Sequence, residues 1–225
     1  MKYRGISLAV IIVLVFSVGF LYASPTLSAQ SVEDTGEKEV SQIALGGGYA
    51  ASNQLEGFGY SAQLYDATNG LPTSDANYIL GSRDGYIWIG GYSGIIKYDG
   101  STFEHLDNSE GLTSGRGLFE DSKGRIWVGT NDNGVVVLDG NNRFHITYKE
   151  GLPSSSIRAF TEDSKGNIYV GTTDGVARVD SNMNVSIIDD KRINTERVLK
   201  LQCDANDVIY GFTQSGSAFA IHNDM

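Results

Sequence analysis

Lys123-Gly124-Arg125-Ile126-Trp127-Val128-Gly129 is a turn followed by a short apolar run, and the chain repeats it. Asp84-Gly85-Tyr86-Ile87-Trp88-Ile89-Gly90 precedes it, and Lys165-Gly166-Asn167-Ile168-Tyr169-Val170-Gly171 follows. A weaker copy reads Asn206-Asp207-Val208-Ile209-Tyr210-Gly211. The aromatic stands at 88, 127, 169 and 210, in steps of 39, 42 and 41. A later glycine recurs at 94, 134, 175 and 216, and Gly-Leu marks the joins at Gly70-Leu71-Pro72, Gly111-Leu112-Thr113 and Gly151-Leu152-Pro153. A period near 40 with several short strands per unit predicts β-propeller blades.

Each unit divides into four strands. In the first, strand a is expected over about 76–83, b over 85–92, c over 94–99 and d over 102–107. The a–b connections (Arg83-Asp84-Gly85, Asp121-Ser122-Lys123-Gly124, Asp163-Ser164-Lys165-Gly166) carry Asp and Gly for turn chemistry: the carboxylate caps local amides and glycine accepts positive φ. A calcium loop is the weaker reading, because the carboxylates do not alternate as such a loop requires. A large ring at one fixed register in every unit is expected to fill the space between blades rather than to form a sugar-stacking platform.

Composition agrees with an all-β chain: 28 glycines, only 3 prolines, and 12 Tyr, 9 Phe and 2 Trp. The net charge is −10, and Lys2 and Arg4 are the only charges before Gln30. Such an acidic body without a basic stripe argues against nucleic-acid binding. Cys203 is the sole cysteine, which excludes an internal disulfide and a CxxC metal site. An exported domain without disulfides points to a bacterial source.

Met1–Arg4 is basic, and Ile6–Ala23 is apolar except for Ser7, Ser17 and Gly19, the charge order of an export signal. Residues 1–29 are read as a signal peptide or a retained hydrophobic anchor helix. Lys2 and Arg4 keep its start in the cytoplasm and place the rest outside. Residues 30–59, acidic at first and containing Gly46-Gly47-Gly48, are read as a flexible linker. Residues 60–225 are the propeller repeats.

The pattern Gly-Leu-Pro, then Asp-x-x-Gly-x-Ile-Trp-x-Gly-Thr, resembles the two-component regulator propeller repeat. It reads Gly151-Leu152-Pro153 … Asp163-Ser164-Lys165-Gly166-Asn167-Ile168-Tyr169-Val170-Gly171-Thr172 in one copy and Asp121 to Thr130 in another. The resemblance covers about residues 60–222. It implies the extracytoplasmic sensor region of a bacterial hybrid histidine kinase or diguanylate cyclase, in which a membrane helix and an output module follow the propeller. It also implies a ring of about seven blades. No output module is legible before Met225, so a missing C-terminal module or a partner chain is expected.

Four blades are counted here. Tyr60–Asp66 precedes the first Gly-Leu as a strand d would, and the last unit, about 198–221, lacks d. Either Tyr60–Asp66 completes a closed ring of four, or the blades are part of a larger ring; the second is the favoured expectation.

Propellers generally bind at the mouth formed by the d–a and b–c loops. The b–c loops are polar and differ between blades, which suits recognition on a repeated scaffold. Tyr92, Asn131, Asp132, Asn133, Asp174 and Gln214 are candidate ligand residues there. Asn77, Arg116, Arg158 and Leu199 share a register early in strand a, and Asn77, Arg116 and Arg158 join the candidates. The two arginines would clamp a small anionic or carbohydrate ligand through forked donors, or else pair with an aspartate of this acidic chain. His105, His145 and His222 are scattered, and no acid–base pair or metal cluster converges, so no catalysis, cofactor or metal is expected. An exported scaffold for protein binding and a lyase-like enzyme are the alternatives.

Overall fold

The computed structural model describes residues 62–222 except 74, 107 and 108. The expected leader, the linker and the N-terminal hydrophobic helix lie outside the described residues. Fifteen strands are described. The first blade comprises β1 (Ala76–Gly81), β2 (Ile87–Gly91), β3 (Gly94–Tyr98) and β4 (Phe103–His105). The second comprises β5 (Gly117–Glu120), β6 (Ile126–Gly129), β7 (Val135–Asp139) and β8 (Asn142–Ile146). The third comprises β9 (Ile157–Glu162), β10 (Ile168–Thr172), β11 (Gly175–Val179) and β12 (Val185–Ile187). The fourth comprises β13 (Val198–Cys203), β14 (Ile209–Thr213) and β15 (Ala218–Ile221). Every sheet is an antiparallel meander in chain order. The expected four-strand unit is therefore present three times, with a three-stranded fourth. The strands are shorter than expected because Ser82 and Arg83 enter the a–b turn, where Ser82 N–H meets the Tyr86 carbonyl at 2.9 Å.

Of the expected outer strand Tyr60–Asp66, the first two residues lie outside the described ones, and the described part, Ala62–Asp66, carries no strand. Its polar groups are spent on a local turn, in which Asp66 Oδ1 accepts the Thr68 amide at 2.8 Å and the Asp66 carbonyl accepts the Leu71 amide at 3.0 Å. Tyr65 instead packs on Tyr98 and Phe103 of the first blade, with ring centroids 5.6 and 5.2 Å away.

The core lies between blades. Trp88 and Ile95 of the first blade pack with Leu118, Ile126 and Val128 of the second. Trp127, Val135 and Val137 pack with Phe160, Ile168 and Val170 of the third. Tyr169 and Val176 pack with Val198, Leu201 and Ile209 of the fourth. The packing role expected of the aromatic register holds for Trp88, Trp127 and Tyr169. It fails for Tyr210, which is 49% exposed because no further described blade covers that face.

The glycine two residues after each of the first three aromatics has a steric cause. A Cβ on Gly129 would sit 2.7 Å from Ile157 Cγ2, and one on Gly171 2.8 Å from Val198 Cγ1. The next blade's first strand approaches too closely for any side chain there. At that register the fourth blade carries Phe212, 47% exposed.

The second and third a–b turns are built by their aspartate, as expected, while in the first Ser82 holds that register and accepts the Trp88 indole N–H at 3.0 Å. Asp121 accepts the Lys123 and Arg125 amides at 2.9 Å each, Arg125 Nε at 2.6 Å and Trp127 Nε1 at 2.8 Å. Asp163 accepts the Lys165 and Asn167 amides at 3.0 and 2.8 Å. Each turn is also tied to the next blade. Arg83 donates its amide and Nε to Glu120, Ser122 its amide and hydroxyl to Glu162, and Ser164 its amide and hydroxyl to Asp207. Asp207 adopts φ 59° where Gly124 and Gly166 take φ 81° and 79°, and short acidic side chains tolerate that region.

Candidate ligand-binding mouth

The face opposite the a–b turns is assembled from the d–a connections and b–c loops, which hydrogen-bond to one another. The Gly115 amide donates to the Gly91 carbonyl (2.9 Å), Gly134 to Ser155 (2.8 Å), Gly175 to Glu196 (3.0 Å) and Gln214 to Arg197 (2.8 Å). The b–c loops are thus fixed by the chain that enters the first strands, and their side chains project from a braced rim.

The first strands bulge at the register picked out in the sequence. Pairing skips Asn77 between Ala76 and Tyr78, Arg158 between Ile157 and Ala159, and Leu199 between Val198 and Lys200. A bulge turns its extra residue out of the alternating pattern, a common device for aiming a side chain at a site. Arg116 holds the matching place just before β5, its amide bonded to the Gly129 carbonyl at 2.8 Å.

Arg116 lies over the Tyr92 ring, 4.5 Å from the centroid, and one of its terminal nitrogens donates to the Tyr92 hydroxyl at 2.6 Å. Its Nε is buried and has no hydrogen-bond partner. Arg158 donates to the Ile157 carbonyl at 2.9 Å and to Asn131 Oδ1 at 3.1 Å. Burial first, then the positive charges of Arg116 and Arg197, push the Arg158 guanidinium below its usual value, with Tyr92 acting in the opposite sense. Tyr92, Arg116, Asn131 and Arg158 therefore come together across three consecutive blades, counting the loops that carry them. Among the described residues, no carboxylate forms a salt bridge with Arg116 or Arg158.

Asn133 donates its side-chain amide to Thr113 Oγ1 at 2.8 Å, and Asp132 accepts the Thr113 hydroxyl at 3.2 Å. They brace the second rim loop. Asp174 is exposed on the third, its amide held by Thr172 Oγ1 at 3.0 Å. Gln214 is exposed on the fourth and tied through its amide to Arg197. Asn77 is exposed on β1 beside Ala76, Tyr78 and Ile79, at the far end of the row.

Arg197 was not among the expected residues. Counting one register per blade leads to Leu199 in the fourth unit, whereas the cation stands two residues earlier, in the d–a connection. A search for arginines within a turn of each strand start would have found it. The two strand-d histidines have a structural role: His105 Nε2 donates to the Ser93 carbonyl at 2.7 Å and His145 Nε2 to the Asn133 carbonyl at 2.5 Å.

Comparison with known proteins agrees with this architecture. The family profile of the two component regulator propeller matches residues 114–132 and 151–174, the first two strands of the second blade and the corresponding part of the third with its preceding Gly-Leu-Pro. These segments are two-component regulator propeller repeats. No curated protein matches the chain. Among solved structures, the extracellular domain of a hybrid two component system from B. thetaiotaomicron superposes with a TM-score of 0.64 at 24% identity, over 73% of this chain and 24% of that one. PorZ, a bacterial surface component of the type-IX secretion system of Porphyromonas gingivalis, gives 0.58 at 15% identity over 74% and 29%. Virginiamycin B lyase from Staphylococcus aureus gives 0.52 at 14% over 67% and 57%. At these identities the likeness is one of fold. The chain spans about a quarter of the length of the B. thetaiotaomicron domain.

Proposed function

We propose that this chain, built from two-component regulator propeller repeats, is the recognition part of an extracytoplasmic sensor in a bacterial signal-transduction system. It binds a ligand at the mouth and performs no chemistry itself. The observation that carries this reading is the braced rim: rigid loops present polar side chains that differ from blade to blade, on a scaffold whose turns and core repeat. Ligand recognition needs such variation on a fixed frame.

The extracytoplasmic setting rests on the basic-then-apolar leader at residues 1–29 and on structural neighbours described as extracellular domains. The leader would export or anchor the propeller. The signal would pass to an output module such as a histidine kinase or a diguanylate cyclase, on the same polypeptide or a partner chain. The likeness to virginiamycin B lyase raises the alternative of an enzyme. What speaks for binding rather than turnover is that His105 and His145 are committed to loop carbonyls, while the a–b turn carboxylates are committed to amides. A protein-binding scaffold would use the same rim.

The test is a thermal-melting screen of the full chain in detergent against a panel of small carbohydrates and organic acids. A ligand should raise the midpoint, lose that effect in Arg116→Ala and Arg158→Ala, and be recovered unchanged after incubation. Recovery of a converted product would favour the enzyme. A panel that binds only variants and wild type alike would remove the mouth as the site.

A further inference from the structure

We propose that the mouth takes a multiply charged anion, a small molecule bearing two or more carboxylate, sulfate or phosphate groups, held jointly by Arg116, Arg158 and Arg197. This rests on the mouth being the recognition surface, and it names the class of ligand and adds a residue.

The rim gathers like charges at an electrostatic cost. Three guanidinium-bearing residues from successive blades share one rim: Arg116 lies over Tyr92, Arg158 reaches Asn131, and Arg197 stands in the connection whose carbonyl holds the Gln214 amide. Like charges gathered this way repel, and the chain has counter-charges to spare, with 27 acidic residues against 17 basic. Those carboxylates are used elsewhere: Asp121, Asp163, Asp180 and Asp204 cap turns, and Glu120, Glu162 and Asp207 join blades. Two acids of the rim loops are turned to threonines, Asp132 to Thr113 and Asp174 to Thr173. A cationic patch left uncompensated in an acidic protein gives a local potential that draws anions.

The donors suit the ligand. Arg116 is held by Tyr92 through one terminal nitrogen and by stacking, which leaves its buried Nε unpartnered. Arg158 is anchored by Ile157 and Asn131. Arg197 is exposed, with its carbonyl fixed by Gln214. Pre-positioned guanidinium forks match planar carboxylates and tetrahedral oxyanions. One monovalent anion offsets only one of the three positive charges. A ligand with several charged groups can bridge them, and so couples occupancy to the relative placement of blades two to four.

The test uses citrate and inorganic sulfate as probes, with sodium chloride at matched ionic strength as reference and sucrose as neutral control, on the full chain in detergent. Citrate should raise the melting midpoint saturably, sulfate less, and sucrose not at all beyond its general stabilising effect. Without anion, Arg158→Gln should melt at or above wild type, since a repelling charge is gone, yet lose the citrate response. Arg197→Gln should weaken half-saturation about tenfold. Equal citrate responses in wild type and both variants, or none in wild type, would overturn the proposal. If instead a neutral ligand binds and is lost in Asn131→Ala but not in Arg197→Gln, the mouth still recognises a ligand and the anion assignment alone falls.

Discussion

Trp127 is wholly buried, and its indole nitrogen ends on Asp121, so one side chain serves both the inter-blade core and the a–b turn. Replacing it with alanine removes the ring from its packing against Phe160, with centroids 6.3 Å apart, and strips a donor from a buried carboxylate. Trp127→Ala should cost about 3–5 kcal/mol, read as a lower midpoint in chemical denaturation with an unchanged slope. A change under about 1 kcal/mol would contradict the packing. The aspartates also set the response to acid. Burial raises the Asp121 pKa, but hydrogen bonds from Trp127 and Arg125 outweigh it, and the net shift is downward. Asp66, Asp99, Asp180, Asp204 and Asp207 are lowered by hydrogen bonds, and Asp190 falls to about 2 through Arg192. A carboxylate whose folded pKa lies below its unfolded value binds protons more readily in the unfolded chain. Its stabilisation is complete above about pH 4 and is lost as pH falls towards the folded value. The melting midpoint should therefore be flat with respect to these groups from pH 7 to 5 and drop between about pH 4 and 2. A steep loss already between pH 7 and 5 would mean that other groups govern stability.

At the scale of the element, blades are joined by a bare glycine against the next first strand and by a carboxylate reaching back to the preceding turn. Gly129→Ala forces a methyl to 2.7 Å from Ile157 Cγ2, and the strand must give way. The expected loss is about 1–3 kcal/mol by denaturant titration, despite the better strand propensity of alanine. A stabilised variant would show that the blades are not held at this distance. Much of this was legible in the sequence, because blade spacing, strand order and turn aspartates all repeat with the period. The glycine's purpose was not, since it depends on a contact with a residue 28 positions later. Nor was Arg197, which reaches the rim from the connection and not from the bulge register shared by Arg116 and Arg158. The carboxylate link in the fourth blade is likewise hidden: Cys203 occupies the register of Glu120 and Glu162, and Asp207 substitutes from the turn.

For the molecule as a whole, the aromatic register divides into covered and uncovered positions. Tyr169 and Tyr210 are equivalent in sequence, yet the first is fully buried beneath the fourth blade and the second is half exposed. Phe212 lies two residues on, across from Lys200 and beside Ala218, on the same open face. The energetic value of a residue in a repeat protein comes from its neighbouring unit as much as from its own strand. Tyr169→Ser should therefore cost several times what the paired change Tyr210→Ser, Phe212→Ser costs. The surface pair should stay within about 1 kcal/mol of wild type, since it gives up little covered area. The same pair should reduce self-association measured by light scattering, because contiguous exposed aromatics on a sheet face are sticky. If the pair instead destabilises as much as Tyr169→Ser, that face is covered in the folded protein, and its register marks where a further unit packs.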